Sequence, residues 1–332
     1  MADYKNIKGF NLQYLDSDPP NPIEGQMWFN STSQTLKGAE AATIADATWA
    51  SGGSLNTARA AAGASSGSDG NTSLFIMSGG SPNTVNVEEY NGSAFTEIAN
   101  VNIAAENAMS SGNGSTVATI FIGGNPKPTR NGGTESWNGT SWTELNDLNS
   151  NRAQGAGTGV STAALVFGGV TTLYVGLVES WNGTSWTEVN DLNTTRANLA
   201  GMGLSTASIA VGGRAPVLSP TIRGNVELWN GSTWTETTDL NTARSEISGS
   251  GVPYTDVIVY GGFNGSTNAS NTESWNGTSW TELNDMATSG SRISQNMGAS
   301  SSATLSFQQA SPSQTTEEWN IPEYVVKTFT TS

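Results

Sequence analysis

The residues able to do chemistry in this chain are few in kind and recur at regular intervals. Arg59, Arg152, Arg196, Arg244 and Arg292 hold equivalent places, with Ala105 where a further one is due. A ring of planar guanidinium forks could bind the carboxylates of an acidic glycan. Such regular recurrence favours a structural post instead, each Arg satisfying backbone carbonyls or the acids of a neighbouring repeat. A second set follows the pattern W-T-E-x-x-D: Glu144 and Asp147, Glu188 and Asp191, Glu236 and Asp239, Glu282 and Asp285. Carboxylates can hold calcium, and a pair can hydrolyse a glycosidic bond. The spacing is not that of an EF-hand loop, and four equal copies single out no catalytic pair. Solvated acids are expected, with no metal, no cofactor and no enzymatic activity. A third set is the tryptophans Trp137, Trp142, Trp181, Trp186, Trp229, Trp234, Trp275 and Trp280. They could stack on sugars, but one equivalent place per repeat points to packing between repeats, where aromatic burial supplies cohesion.

Composition narrows the chemistry further. The 332 residues include no Cys and no His. That excludes disulfides, thiolate nucleophiles, Cys-based zinc sites, Ser-His-Asp triads and imidazole ligands. A net charge of -15 argues against nucleic-acid phosphates and anionic membrane surfaces as partners. No run of 18 apolar residues exists to span a bilayer, and MADYKNIKGF lacks the apolar core of a signal peptide. The chain is therefore expected to stay where it is made or to leave without a cleaved signal. Low charge density with 11 Trp argues for a folded chain.

The elements that must position these residues come from a repeat. ESWNGTSWTELNDLNSNR at 135–152 returns at 179–196, 227–244 and 273–292, with a weaker copy, EEYNGSAFTEIANVNIAA, at 88–105. A first aromatic falls at Tyr90, Trp137, Trp181, Trp229, Trp275 and Trp319, and a second at Trp49, Phe95, Trp142, Trp186, Trp234 and Trp280. Gly pairs fall at 79–80, 123–124, 168–169, 212–213 and 261–262, with Gln308 and Gln309 in the last such place. Each unit predicts four strands. Strand a follows the Arg; b is an apolar run before the Gly pair; c ends on the first aromatic; d carries the second. Asn-Gly between c and d suits a tight hairpin, since both residues tolerate positive φ. Four antiparallel strands per repeat predict an all-β fold, a six-bladed β-propeller over 45–320. The d series starts first, at Trp49, and the c series ends last, at Trp319. The ring is therefore expected to close through an N-terminal outer strand around Trp49, which hides its sheet edges.

Between strands b and c the segments 125–134, 170–177, 214–225 and 263–272 vary most. Variable loops on a rigid scaffold commonly carry recognition. Arg130, Tyr174, Arg214 and Arg223 are the candidate ligand-binding residues. Residues 1–44 break the repeat and contain Lys5, Lys8, Lys37, Pro19, Pro20 and Pro22. They read as a separate attachment segment in which GQMWFNSTSQTLKG forms a small hairpin. The end of the chain, 321–332, reads as an edge strand pairing with the N-terminal segment or with a partner.

The order Arg, strand, apolar run, Gly-Gly, aromatic, Trp resembles kelch repeats from about 45 to 320. The five-residue step from Trp137 to Trp142 is shorter than usual for them, so the resemblance is one of architecture. The wording of the repeat is similar to repeats in predicted virion proteins of marine phages, notably those of cyanobacteria. Pro22, Gly25, Gln26, Trp28, Phe29, Asn30, Thr32, Leu36 and Lys37 resemble a short module at the start of phage tail and tail-fibre proteins. This resemblance implies a virion structural protein, assembled in the host cytoplasm in several copies per particle. It would hold other virion proteins through residues 1–44, with Trp28, Phe29, Asn30 and Leu36 as attachment residues. Its propeller would face a host-surface carbohydrate or receptor, or else serve a purely structural decoration or neck role.

Overall fold

A computed structural model describes residues 12–66, 74–79, 83–113, 117–125, 130–215, 221–291, 300–307 and 313–329. Arg292, Gly80, Gln308, Gln309, Lys5 and Lys8 lie outside these residues, as do 126–129 and 216–220 of the variable loops. The fold is all-β: among the described residues the helical content is one 3-10 turn, Ile44–Asp46. No helix there is long and apolar enough to cross a membrane. The chain forms two compact units, one of Thr48–Asn320 and one of Met1–Ala47 with Ile321–Ser332.

The larger unit is a β-propeller-like succession of open antiparallel sheets. Four-stranded sheets cover 63–98, 109–145, 156–189, 200–236 and 248–282, each in sequence order. In the 156–189 sheet the strands are Ala156–Val160, Ala163–Phe167, Val178–Trp181 and Trp186–Val189, in the a-to-d order expected. A further sheet joins Ala303–Phe307 and Thr316–Asn320 to Thr48–Ser51, with Trp319 opposite Trp49. Strand b is an uninterrupted apolar run because both of its faces are covered: Ala164, Leu165, Val166 and Phe167 are fully buried. The core lies between successive sheets. Met109, Ile120 and Ile122 meet Ala164, Val166, Trp181 and Trp186 in one layer. Leu165, Phe167 and Val178 meet Ala210, Trp229 and Trp234 in the next.

Two local features explain the joints. In the c–d connection Gly139 takes φ 92° while Asn138 does not take a positive φ. Trp137 pairs with Trp142, so the loop has four residues, and the Asn138 carboxamide oxygen accepts the N–H groups of Thr140 and Ser141, both at 2.9 Å. The Asn thus works through its side chain, and the positive φ falls to the Gly alone. In the Gly pairs, Gly169 donates its N–H to the Arg196 carbonyl of the next repeat at 2.9 Å. A Cβ on Gly168 would stand 2.7 Å from that same oxygen. Only glycine allows this approach.

The smaller unit is a four-stranded sheet. Gln13–Leu15 lies parallel to Met27–Asn30, which forms a hairpin with Thr35–Ala41, and Tyr324–Phe329 pairs antiparallel with Thr35–Ala41. The predicted hairpin is present, and the C-terminal strand pairs with the N-terminal segment at one edge of the sheet.

Candidate functional site

The recurring Arg residues are interior groups. Arg59, Arg152, Arg196 and Arg244 are fully buried, each on a glutamate of strand c. Arg152 Nη1 meets Glu179 at 2.6 Å, Arg196 Nη2 meets Glu227 at 3.1 Å, and Arg244 Nη2 meets Glu273 at 2.7 Å. Arg59 pairs likewise with Glu88. Backbone carbonyls take further N–H groups: Gly261 and Asn271 both accept from Arg244 Nη1 at 2.8 Å. Burial pulls each guanidinium below its ordinary pKa while its glutamate pushes it back up. These groups bind the protein itself and offer no fork to a ligand.

The glutamates Glu88, Glu135, Glu179, Glu227, Glu273 and Glu317 were missed by reasoning from sequence, which weighed the W-T-E-x-x-D acids. Each strand-c glutamate also accepts two backbone N–H groups from the turn before the Arg place. For Glu179 these are Asn149 at 2.7 Å and Ser150 at 3.3 Å. Glu317 receives Ala287 and Thr288 at 2.8 and 2.9 Å. Where Ala105 stands in place of Arg, Glu135 accepts both the backbone and the side-chain N–H of Asn102, at 2.8 and 2.7 Å, as Glu179 does from Asn149. The signal was present in the sequence: a glutamate stands two residues before the first aromatic in every repeat. By contrast Glu144, Asp147, Glu188, Asp191, Glu236, Asp239, Glu282 and Asp285 are exposed, and no group of three or more acids that could hold a metal forms among the described residues.

The tryptophans pack. Trp137 and Trp142, Trp181 and Trp186, Trp229 and Trp234, and Trp275 and Trp280 form tilted pairs with centroids 5.2–5.4 Å apart, a geometry worth about 0.5–1.5 kcal/mol beyond burial. Three of these second-position rings bond to the preceding repeat, while the buried Trp234 Nε1 has no hydrogen-bond partner among the described residues. Trp142 donates to the Ala99 carbonyl at 2.9 Å, Trp186 to Thr134 Oγ1 at 3.1 Å, and Trp280 to the Thr238 carbonyl at 3.1 Å.

The candidate ligand-binding residues have separate surroundings. Arg130 and Tyr174 are half-buried, and Tyr174 bridges back to Val170. Arg214 and Arg223 lie on strands rather than in a loop, because Ala207–Ala215 and Thr221–Trp229 continue the ladder past a bulge at Val211–Gly213. The flexibility of Gly212 and Gly213 lets pairing resume. Arg214 bonds Glu246 at 2.8 Å and Ser245 Oγ at 3.1 Å, and its guanidinium lies 5.4 Å from the Phe263 ring centre.

Beside Arg214 runs a feature the sequence did not announce. Ala61, Asn107, Gln154, Asn198 and Glu246, each two residues past the Arg place, all take left-handed φ of 52–62°. Their backbones join in series: Asn107 N–H to Ala61 carbonyl at 2.7 Å, Gln154 to Asn107 at 3.0 Å, Asn198 to Gln154 at 2.8 Å, and Glu246 to Asn198 at 2.8 Å.

In the smaller unit Trp28, Asn30 and Leu36 are buried and Phe29 is half-buried, 5.3 Å from Tyr14. Asp18 gathers three donors: Trp28 Nε1 at 3.0 Å, Asn30 Nδ2 at 2.8 Å and Lys37 Nζ at 2.7 Å. The hydrogen bonds from Lys37, Asn30 and Trp28 hold its carboxyl down at about 2. Gln26 Oε1 accepts the Ile23 N–H at 3.0 Å, and Gly25 turns the chain at φ 80°. These residues build the sheet; among the described residues Tyr14, Ile23, Val326 and Phe329 are the large apolar groups it exposes. Compared with known proteins, the chain matches no family model and no curated protein.

Proposed function

We propose that this is a non-enzymatic phage virion protein, tail- or fibre-associated, in which a six-bladed kelch-like propeller is closed by Thr48–Ser51 and displayed toward a host-surface carbohydrate. The smaller unit attaches it to other virion proteins. Trp28, Asn30 and Leu36 would support that attachment by holding the sheet, with Phe29 at its surface.

The observation that carries the reading is the division of labour between the two units. Repeated Arg, Glu, Trp and Gly residues are consumed in joining sheets. The segments between strands b and c are left free to vary, and a separate sheet is built from the phage-like module. Closure is supported by Trp49, which donates to Thr272 Oγ1 at 2.9 Å, as Trp186 does to Thr134. Its ring also lies 4.8 Å from that of Tyr260. Beyond this strand, Thr316 Oγ1 donates to the Gly53 carbonyl at 2.6 Å, and Tyr90 donates to Glu318. Cryo-electron microscopy of intact particles tests the assignment: density for the chain on the tail is expected, and its absence from the virion overturns it.

A purely structural decoration or neck role is the second reading. It is favoured by the burial of every described Arg of the recurring set. Saturable binding of the purified chain to host cells would exclude it.

A further inference from the structure

We infer that the row of side-chain amides at Asn107, Gln154 and Asn198 is a binding site for a neutral, hydroxyl-rich ligand, the exposed end of a saccharide. This rests on the carbohydrate reading above and moves the contact from loop tips to a fixed row.

Left-handed φ costs an ordinary L-residue about 1–2 kcal/mol, Asn less, and glycine escapes that cost; Gln154 and Glu246 bear it in full. The chain has 39 glycines and uses them at its Gly pairs and hairpins, yet none of these five places is glycine. At three consecutive repeats the place holds a primary amide. The backbone bonds from one left-handed residue to the next make the three amides nearest neighbours, spaced by the repeat and not by side-chain flexibility. Among the described residues these amides make no hydrogen bond, although Asn107 and Gln154 are half-buried and Asn198 is only 9% exposed. None of their polar atoms is fully enclosed, so donors and acceptors remain open to a ligand. An amide both donates and accepts, as a sugar hydroxyl does.

Charge then selects the class. The row itself is neutral. It ends at Glu246, whose carboxylate is already held by Arg214 at 2.8 Å. At that end of the row the acid and the guanidinium already hold each other, so neither selects an ion. A neutral polyol needs neither.

Glycine keeps the backbone conformation while deleting the amide, so Gln154→Gly and Asn198→Gly separate binding from folding. The full-length chain and both variants would be applied to an array of neutral and acidic oligosaccharides, with thermal melting in parallel. Expected are saturable binding to neutral-terminated glycans, a loss of about ten-fold in each variant, and melting unchanged or raised. Unaltered affinity in both variants, with loss on Arg130→Ala or Tyr174→Ala, overturns the row and leaves the carbohydrate reading standing. Binding to acidic glycans alone overturns the neutral class. No saturable binding by the unaltered chain overturns the row and the carbohydrate reading together, and favours the purely structural role.

Discussion

The two units hold charge in opposite ways. In the larger one the Arg–Glu pairs at the recurring Arg place have side chains no more than 2% exposed. In the smaller one Asp18 and Lys37 pair with side chains 33% and 17% exposed. Stacked sheets cover a charge from both sides, and the carboxylate there needs backbone N–H groups as well as Arg to replace water. A single sheet gives less cover, and Asp18 shares its three donors with solvent. Where a charge is deeply buried, its loss is costly because the partner is left stranded. Where it is half-wet, water substitutes.

The largest test of this contrast is Glu179→Ala. It strands Arg152 and two backbone N–H groups and should cost about 3–5 kcal/mol, read by chemical denaturation of the larger unit. Glu135→Gln is the sharper comparison within that unit. No Arg is paired there, so the loss should be about 1–2 kcal/mol; a cost equal to that of Glu179→Gln would break the argument that the stranded guanidinium dominates.

Tyr90→Phe comes next, at about 1 kcal/mol. Burial and Glu318 raise the Tyr90 hydroxyl to about 12. The fold therefore favours its neutral form, a contribution complete below pH 10 and lost as pH rises from 10 toward 12. An alkaline melt should show a larger loss in the unaltered chain than in the variant, which keeps Tyr260, raised in the same direction by burial.

Asp18→Asn should have the smallest effect, below about 1 kcal/mol. With the Asp18 carboxyl held at about 2 against its ordinary 3.8, its contribution is present above pH 3.8 and lost as pH falls toward 2. Trp28 fluorescence in an acid titration should follow this, while variants of the repeat pairs leave it unmoved.

Much of the architecture was legible. Arg, Gly-Gly, Asn-Gly and the two aromatics recur in phase, and each recurrence marks a fixed place in a four-stranded sheet. The strand-c glutamates were equally periodic but passed unremarked, because a glutamate beside a β-strand ordinarily faces water and only stacked sheets turn it inward. Arg214 and Arg223 looked like loop residues because the Gly pair suggested an end to pairing, whereas the ladder bulges and continues. Period, turn chemistry and the absence of Cys and His lie in the sequence, since they depend on residues near one another along the chain. Which charges are buried, that the two ends of the chain share a sheet, and that five left-handed residues join in a row depend on residues tens to hundreds of positions apart. Only tertiary packing brings those together, because each is stabilised by a neighbour that local sequence does not contain.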